Sequence, residues 1–176
     1  MEDWLAQLVG GAAFLIGVIA FWQKDDLNFR YQMVAFCLVM SVHFVLMGAT
    51  VAAIGVAING IRSFASIKLR SKAVMWFFLA LMWLMTLPNV SHILELFTVV
   101  GSSVATWALF CKQGITLRAL ILFNSVCWVS HNIWLGSIGG SLVEASFIVT
   151  NLVTIYRIHR NSSDHQNSMT AENESV

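Results

Sequence analysis

The sequence predicts an all-α, polytopic membrane protein in which seven transmembrane helices form one bundle. Of the 176 residues, 58% are hydrophobic and only 11% are charged, and the mean hydropathy is +0.76. A soluble domain carries about 25% charged residues, so this chain lacks the charge that a water-facing surface needs. The net charge of +1 excludes the basic surface of a nucleic-acid-binding protein, and three scattered cysteines indicate no disulfide framework.

The individual helices follow from the apolar stretches. A bilayer core about 30 Å thick requires roughly 17–25 mostly apolar helical residues per crossing. One helix over 31–66 would overrun the bilayer about twofold, so we predict a tight turn at Gly48 and another within Gly136–Gly139. The predicted spans are Trp4–Trp22, Tyr31–Met47, Ala49–Ser66, Ala73–Pro88, Ile93–Cys111, Ala119–Leu135 and Gly139–Tyr156.

The basic side chains predict the orientation of these spans, because they occupy alternate connections only. The ten are Lys24, Arg30, Arg62, Lys68, Arg70, Lys72, Lys112, Arg118, Arg157 and Arg160. By the positive-inside rule these connections are cytoplasmic, which places the N-terminus outside and the C-terminus inside. The acidic first residues lack the basic region of a cleavable signal, and the polar segment 161–176 is predicted to be a disordered cytosolic tail.

An internal repeat is predicted from one pattern, K-x5-R-x12-H-x4-G, that occurs twice at an offset of 88 residues. Its first copy ends with His43 and Gly48, and its second with His131 and Gly136. Within a membrane domain at 1–160, this predicts repeat one at 4–66, a linking helix at 73–88 and repeat two at 93–158. The last span then has a few extra residues after Gly136. Both copies start outside, so the layout is a parallel 3+1+3 repeat.

Several runs of residues are distinctive: Trp107-Ala-Leu-Phe-Cys111, Cys127-Trp-Val-Ser-His131-Asn-Ile-Trp134, Gly136-Ser-Ile-Gly-Gly140 and Glu144-x-Ser-Phe147. With these runs the chain resembles the YgjV family of bacterial inner-membrane proteins, over nearly all of 1–160. The resemblance implies an inner-membrane location and no particular activity. More distantly, the 3+1+3 layout is similar to SWEET and PQ-loop carriers. Those carriers hinge on prolines in the first helix of each half, whereas this chain has only Pro88, so the hinge mechanism is not carried over.

Polar residues inside spans are costly and are therefore candidates for function. Asn59 and Asn151 lie near the middle of spans three and seven, where their amides would face each other and bind a small neutral polar solute. SWEET-like carriers have an asparagine pair in a comparable position. Asn124 in span six is a further candidate for substrate binding. The same residues could instead serve only to hold helices together, and both interpretations stay open.

Glu144 and His131 are candidates for proton coupling. Each lies about one turn from the predicted Gly136–Gly139 turn, so the two side chains are expected at a similar depth and within hydrogen-bonding reach. A carboxyl group in an apolar span is expensive to charge, and an adjacent imidazole would titrate with it. A fixed hydrogen bond without proton movement is the alternative.

Three classes of function remain at this point. The first is a small-solute transporter, the second a non-transporting protein whose polar residues assemble helices or bind a partner, including a second copy of the chain. The third is a metal- or haem-handling protein that would use His43, Cys127 and His131, which are weak metal ligands by spacing. Hydrolase, P-loop and dinucleotide motifs are absent, so we expect neither enzymatic activity nor a cofactor.

Overall fold

The computed structural model describes residues 3–22, 26–65, 69 and 71–174. This part of the chain contains seven α-helices, one 3-10 turn and no strand, which confirms the all-α bundle. The helices are α1 (Asp3–Trp22), α2 (Asp26–Leu46), α3 (Thr50–Ala65), α4 (Lys72–Thr86), α5 (Ile93–Cys111), α6 (Gly114–Leu135) and α7 (Ile138–Glu174), with the 3-10 turn at Leu87–Asn89. The helices α2 and α6 each begin five residues before the predicted span, because the mixed polar and apolar residues that precede each apolar stretch are already helical.

The apolar character of the helices fits a membrane bundle. Among the described residues, the segments at 72–89, 93–111 and 138–160 are long and apolar enough to cross a bilayer. Three shorter apolar helical segments lie at 4–19, 31–46 and 50–65. Large hydrophobic side chains such as Trp76, Leu84 and Ile133 are exposed on the outside of the protein, where lipid would cover them.

The two glycine turns are confirmed, and both have the same chemistry. Gly48 and Gly136 adopt left-handed φ angles of 72° and 75°, a conformation that favours glycine. After Gly48, the Ala49 N–H donates to the carbonyl of Phe44 at 2.9 Å, and after Gly136 the Ser137 N–H donates to the carbonyl of Asn132 at 2.9 Å. The next helix begins two residues after each glycine. The turn after Gly136 is therefore as short as the turn after Gly48, whereas the sequence predicted a few extra residues there.

The six helices other than α4 pack in a closed ring. Along the chain, α1 packs on α2 and α2 on α3, while α5 packs on α6 and α6 on α7. The contacts α1–α7 and α3–α5 join these two groups of three helices, and α4 lies outside the ring against α3 and α5. Both glycine turns lie at one end of the ring, called the glycine-turn end below. Lys72 and Lys112 mark the opposite end, called the basic end.

Helix α7 extends beyond the membrane domain predicted from the sequence. It continues to Glu174, so the backbone of 161–174 is helical where a disordered tail was expected. Extending an existing helix adds one hydrogen bond for each residue that is fixed, which is far less costly than nucleating a new helix. The polar composition of this segment, by contrast, gave no sign of helical periodicity.

Candidate functional site

A small cavity lies at the centre of the bundle, between α2, α3, α6 and α7. Its volume is about 130 Å³, which corresponds to roughly four water molecules. The polar side chains that line it are Asn59, Arg62, Ser63, Asn124, Asn132 and Glu144. Its apolar wall includes Phe36, Val56, Trp128 and Phe147. The cavity therefore brings together polar groups from both groups of three helices.

Asn59 reaches the cavity from α3 and is held by α5. Its Nδ2 donates to Ser102 Oγ at 3.3 Å, and the same hydroxyl accepts from Trp128 Nε1 at 3.0 Å. Asn59 Oδ1 is buried without a hydrogen-bond partner among the described residues. An unpaired buried acceptor costs free energy, roughly 1–3 kcal/mol, so this oxygen is available to a ligand or to water.

Two glycines allow the amides of α6 to lie close to neighbouring helices. A Cβ on Gly101 would be 3.2 Å from Asn124 Oδ1 and 2.9 Å from the Cβ of Cys127. A Cβ on Gly140 would be 2.9 Å from Asn132 Nδ2. The amide oxygens of Asn124 and Asn132 are both buried and without a partner in the described part of the chain. Together with Asn59, α6 thus supplies the cavity with acceptor oxygens.

Glu144 lines the cavity from α7, but it does not bond to His131. Its Oε2 is buried and makes no hydrogen bond of normal geometry among the described residues, and the Ser125 hydroxyl of α6 lies close to the carboxyl group. Both ring nitrogens of His131 are likewise without a partner. His131 packs instead among aromatic rings, with centroids 6.0 Å from Phe44 and 5.7 Å from Trp134. The proton-coupling role of the two residues stays a prediction, and the structure lacks the hydrogen bond that motivated it.

Asn151 lies outside the central cavity and does not pair with Asn59. Its side chain is buried, and its Nδ2 donates to the carbonyl of Phe147 in its own helix at 2.9 Å. The register of the helices explains this. Asn59 lies nine residues after the start of α3, and the residue nine after the start of α7 is Phe147. Asn151 is one helical turn nearer the basic end, so the expected pairing across the ring does not form.

Arg62 is a cavity residue that the sequence analysis assigned only to a cytoplasmic connection. It is 8% exposed, and its Nη1 donates to Thr106 Oγ1 on α5. A sequence signal was available, because Arg62 lies three residues after Asn59 and so on the same face of α3. Arg62 and Ser63 also line a second, larger cavity at the basic end, of about 950 Å³, together with Lys72, Lys112 and others.

The glycine-turn end is closed by polar contacts, most of which join the two groups of helices. The His43 Nδ1–H donates to the carbonyl of Ala6 at 2.7 Å, and Nε2 accepts from the Ser137 hydroxyl at 2.6 Å. Gln7 donates to the carbonyl of Gly136 at 2.8 Å and accepts from the N–H of Ile138 at 3.1 Å. These contacts, called the His43 latch below, fix the start of α1 to the turn between α6 and α7.

Close backbone packing accompanies the His43 latch. A Cβ on Gly139 would overlap the carbonyl group of Gly10, and a Cβ on Gly10 would be 2.9 Å from the His43 ring. Only glycine permits this approach of α1 and α7. The contact leaves no passage between these two helices at the glycine-turn end.

The three weak metal candidates are not assembled into a metal site. Both nitrogens of His43 are engaged in the latch, and Cys127 packs beside Gly101. A search of the described residues finds no group of three His, Cys, Asp or Glu side chains that could hold a metal ion. No observation on these residues therefore favours a metal- or haem-handling function.

The apolar bundle and its small polar centre define the chain as a multi-pass helical membrane protein. Comparison with known proteins agrees and is more specific. The family model of Imp-YgjV, bacterial inner membrane protein, matches residues 4–162. Over 157 residues the chain is 42% identical to the inner membrane protein YgjV of Escherichia coli (strain K12), covering 89% of this chain and 86% of that protein. The chain belongs to this family of bacterial inner membrane proteins. No solved structure matches it.

Proposed function

We propose that this protein is a small-solute transporter that exposes its central cavity alternately to the two sides of the membrane. One observation carries the proposal: a cavity between the two groups of helices holds buried oxygens of Asn59, Asn124 and Glu144 that have no partner among the described residues. Buried polar groups are normally paired, and unpaired ones gathered at one cavity are typical of a ligand site.

The two ends of the bundle differ in the way that alternating access requires. The His43 latch closes the glycine-turn end, whereas the larger cavity opens at the basic end and shares Arg62 and Ser63 with the central one. With the basic connections in the cytoplasm, the structure corresponds to a conformation closed towards the outside. Release of the His43 latch would open the central cavity towards the glycine-turn end.

The ring of helices supports a parallel 3+1+3 repeat as the basis of this motion. The groups α1–α3 and α5–α7 pack in the same order, each has a left-handed glycine turn before its last helix, and α4 links them from outside the ring. Two similar halves around one site can rock against each other, as in carriers built from parallel repeats. On this proposal the halves move as units about the central cavity.

A labelling experiment tests alternating access without knowledge of the solute. In a background with Cys37, Cys111 and Cys127 replaced, Asn59→Cys is treated with a small, membrane-impermeant methanethiosulfonate in oriented vesicles of either sidedness. Alternating access predicts labelling from both sides. The matched control is Asn151→Cys, a buried position outside the cavity, which should remain unlabelled. Labelling of Asn59→Cys from one side only, or from neither, would contradict the proposal.

A non-transporting protein is the second candidate, and one set of contacts favours it. The polar residues of α7 bond to their own helix: Ser146, Thr150, Asn151 and Thr154 each donate to the carbonyl four residues earlier. The three hydroxyl groups need no ligand, although Asn151 Oδ1 is buried without a partner among the described residues, and these contacts are compatible with a bundle that only holds itself together or binds a partner. One-sided labelling of Asn59→Cys would favour this function.

A further inference from the structure

One basic and one acidic side chain line the central cavity without bonding to each other. Arg62 donates to the Thr106 hydroxyl, a neutral group, and Glu144 Oε2 has no partner among the described residues. These are the one basic and the one acidic side chain among the sixteen residues that line the cavity. A charge on either of them costs several kcal/mol in this buried position unless an opposite charge compensates it. The cavity therefore offers Arg62 to an anionic group and Glu144, once ionised, to a cationic group.

The two charges are separated along the bundle, in the direction of the proposed transport route. The latch contacts place the starts of α3 and α7 at the same end, since His43 lies beside Ser137. Arg62 lies twelve residues after the start of α3 and Glu144 six after the start of α7. At a rise of 1.5 Å per residue, their backbones differ in depth by about 9 Å.

The two side chains fit the chemistry of a molecule that carries a positive and a negative charge on neighbouring groups. An α-amino acid holds its ammonium nitrogen and a carboxylate oxygen about 3 Å apart. The ammonium group donates to a carboxylate and the carboxylate of the amino acid accepts from a guanidinium, each through a charge-assisted hydrogen bond of about 2.8 Å. One such molecule would bring an opposite charge to both side chains, whereas a neutral solute would bring a charge to neither.

The amide oxygens in the middle of the cavity also suit the ammonium group of such a molecule. The free oxygens of Asn59 and Asn124 are acceptors, and an ammonium group supplies three donors. The volume of about 130 Å³ and the aromatic wall leave space for a small side chain only. We propose that the central cavity binds a small zwitterion of the α-amino acid class, such as glycine, alanine or serine, with its ammonium at Glu144 and its carboxylate at Arg62. This proposal rests on the transport function proposed above, and it replaces the neutral solute that the sequence suggested.

Binding is tested on the full-length protein in detergent by the rise in its unfolding temperature. The probes are glycine, L-alanine and L-serine, with ethanolamine as the ammonium alone, acetate as the carboxylate alone and glycerol as a neutral solute. The proposal predicts a saturable rise with the zwitterions and none with the other three compounds. An equal rise with glycerol, or no rise with any amino acid, would overturn it.

Two variants test the assigned contacts. Glu144→Gln and Arg62→Gln should each raise the Kd of the zwitterion by roughly 30-fold or more, because each leaves one charge of the ligand unpaired. If a variant does not fold, Glu144→Asp and Arg62→Lys retain the charge with a shorter reach and should weaken binding less. Glu95→Gln is the matched control, since Glu95 is a buried carboxylate that does not line this cavity. Unchanged binding in Glu144→Gln would refute the proposal.

The failure of this proposal is distinguishable from the failure of the proposed function. Two-sided labelling of Asn59→Cys without any response to amino acids refutes the substrate class and leaves transport standing. One-sided labelling with a clear response to amino acids refutes transport and leaves a binding site for a zwitterion.

Discussion

The contribution of the His43 latch to stability can be measured by comparison with His131, a matched position in the same protein. His43 and His131 are both fully buried at the same position before a glycine turn, but only His43 has hydrogen-bond partners among the described residues. Leucine has nearly the volume of histidine and no polar atoms. The pair His43→Leu and His131→Leu therefore compares similar changes in packing, with and without the loss of hydrogen bonds.

The expected magnitude follows from the two bonds of His43, at 2.7 Å to Ala6 and 2.6 Å to Ser137. A net contribution of about 1 kcal/mol per bond gives a loss of about 2 kcal/mol in the free energy of unfolding. By the scaling for soluble domains of similar length, this lowers the Tm by roughly 4–8 °C. His131→Leu removes two unpaired polar atoms and should leave the Tm unchanged or raise it.

The assay is the fraction of monodisperse protein that survives heating in detergent, measured by size-exclusion chromatography over a temperature series. A Tm for His43→Leu well below that of His131→Leu supports the latch. Equal losses in both variants would refute the reasoning, because they would show that packing rather than hydrogen bonding decides the stability of these sites.

Three further predictions concern the fold. Gly139→Ala should lower the Tm markedly because its Cβ would overlap the backbone of Gly10, whereas Gly11→Ala, with no neighbour within 4 Å, should leave the same heating curve unchanged. Glu95→Ala removes the acceptor for the N–H groups of Ser91 and His92 and should cost about 1 kcal/mol, seen as a Tm a few degrees lower. A reporter fused to the C-terminus should be active in its cytoplasmic form, and activity only in the periplasmic form would contradict the predicted orientation.

The parts of the fold set by local signals could be predicted from the sequence. The length of each apolar stretch predicted the number and approximate position of the helices, and α5 begins and ends where its span was predicted. The turns at Gly48 and Gly136 followed from the length of chain that a bilayer can hold. The starts of α2 and α6 were less accurate, because a helix can continue into polar residues that hydropathy excludes from a span.

The candidate site could be predicted only in part, because it depends on helix rotation and register. Asn59, Asn124 and Glu144 reach the central cavity, as polar residues on inward faces should. Asn151 does not, since the number of residues after the Gly136 turn was overestimated and one helical turn separates it from the cavity. Arg62 was missed because a basic residue near the end of a span resembles an interfacial anchor, and its burial against Thr106 is a property of packing.

The His43 latch also has a consequence for the order of events during synthesis. Gln7 bonds to residues 129 and 131 positions later in the chain. At a translation rate of about 5–20 residues per second, roughly 7–26 s pass between the emergence of α1 and that of its partners. Throughout that interval the first three helices reside in the bilayer while His43 Nε2 and the side chain of Gln7 lack these native contacts. The N-terminal half must therefore tolerate lipid on a surface that later becomes interior, and the ring closes only when the last helix arrives.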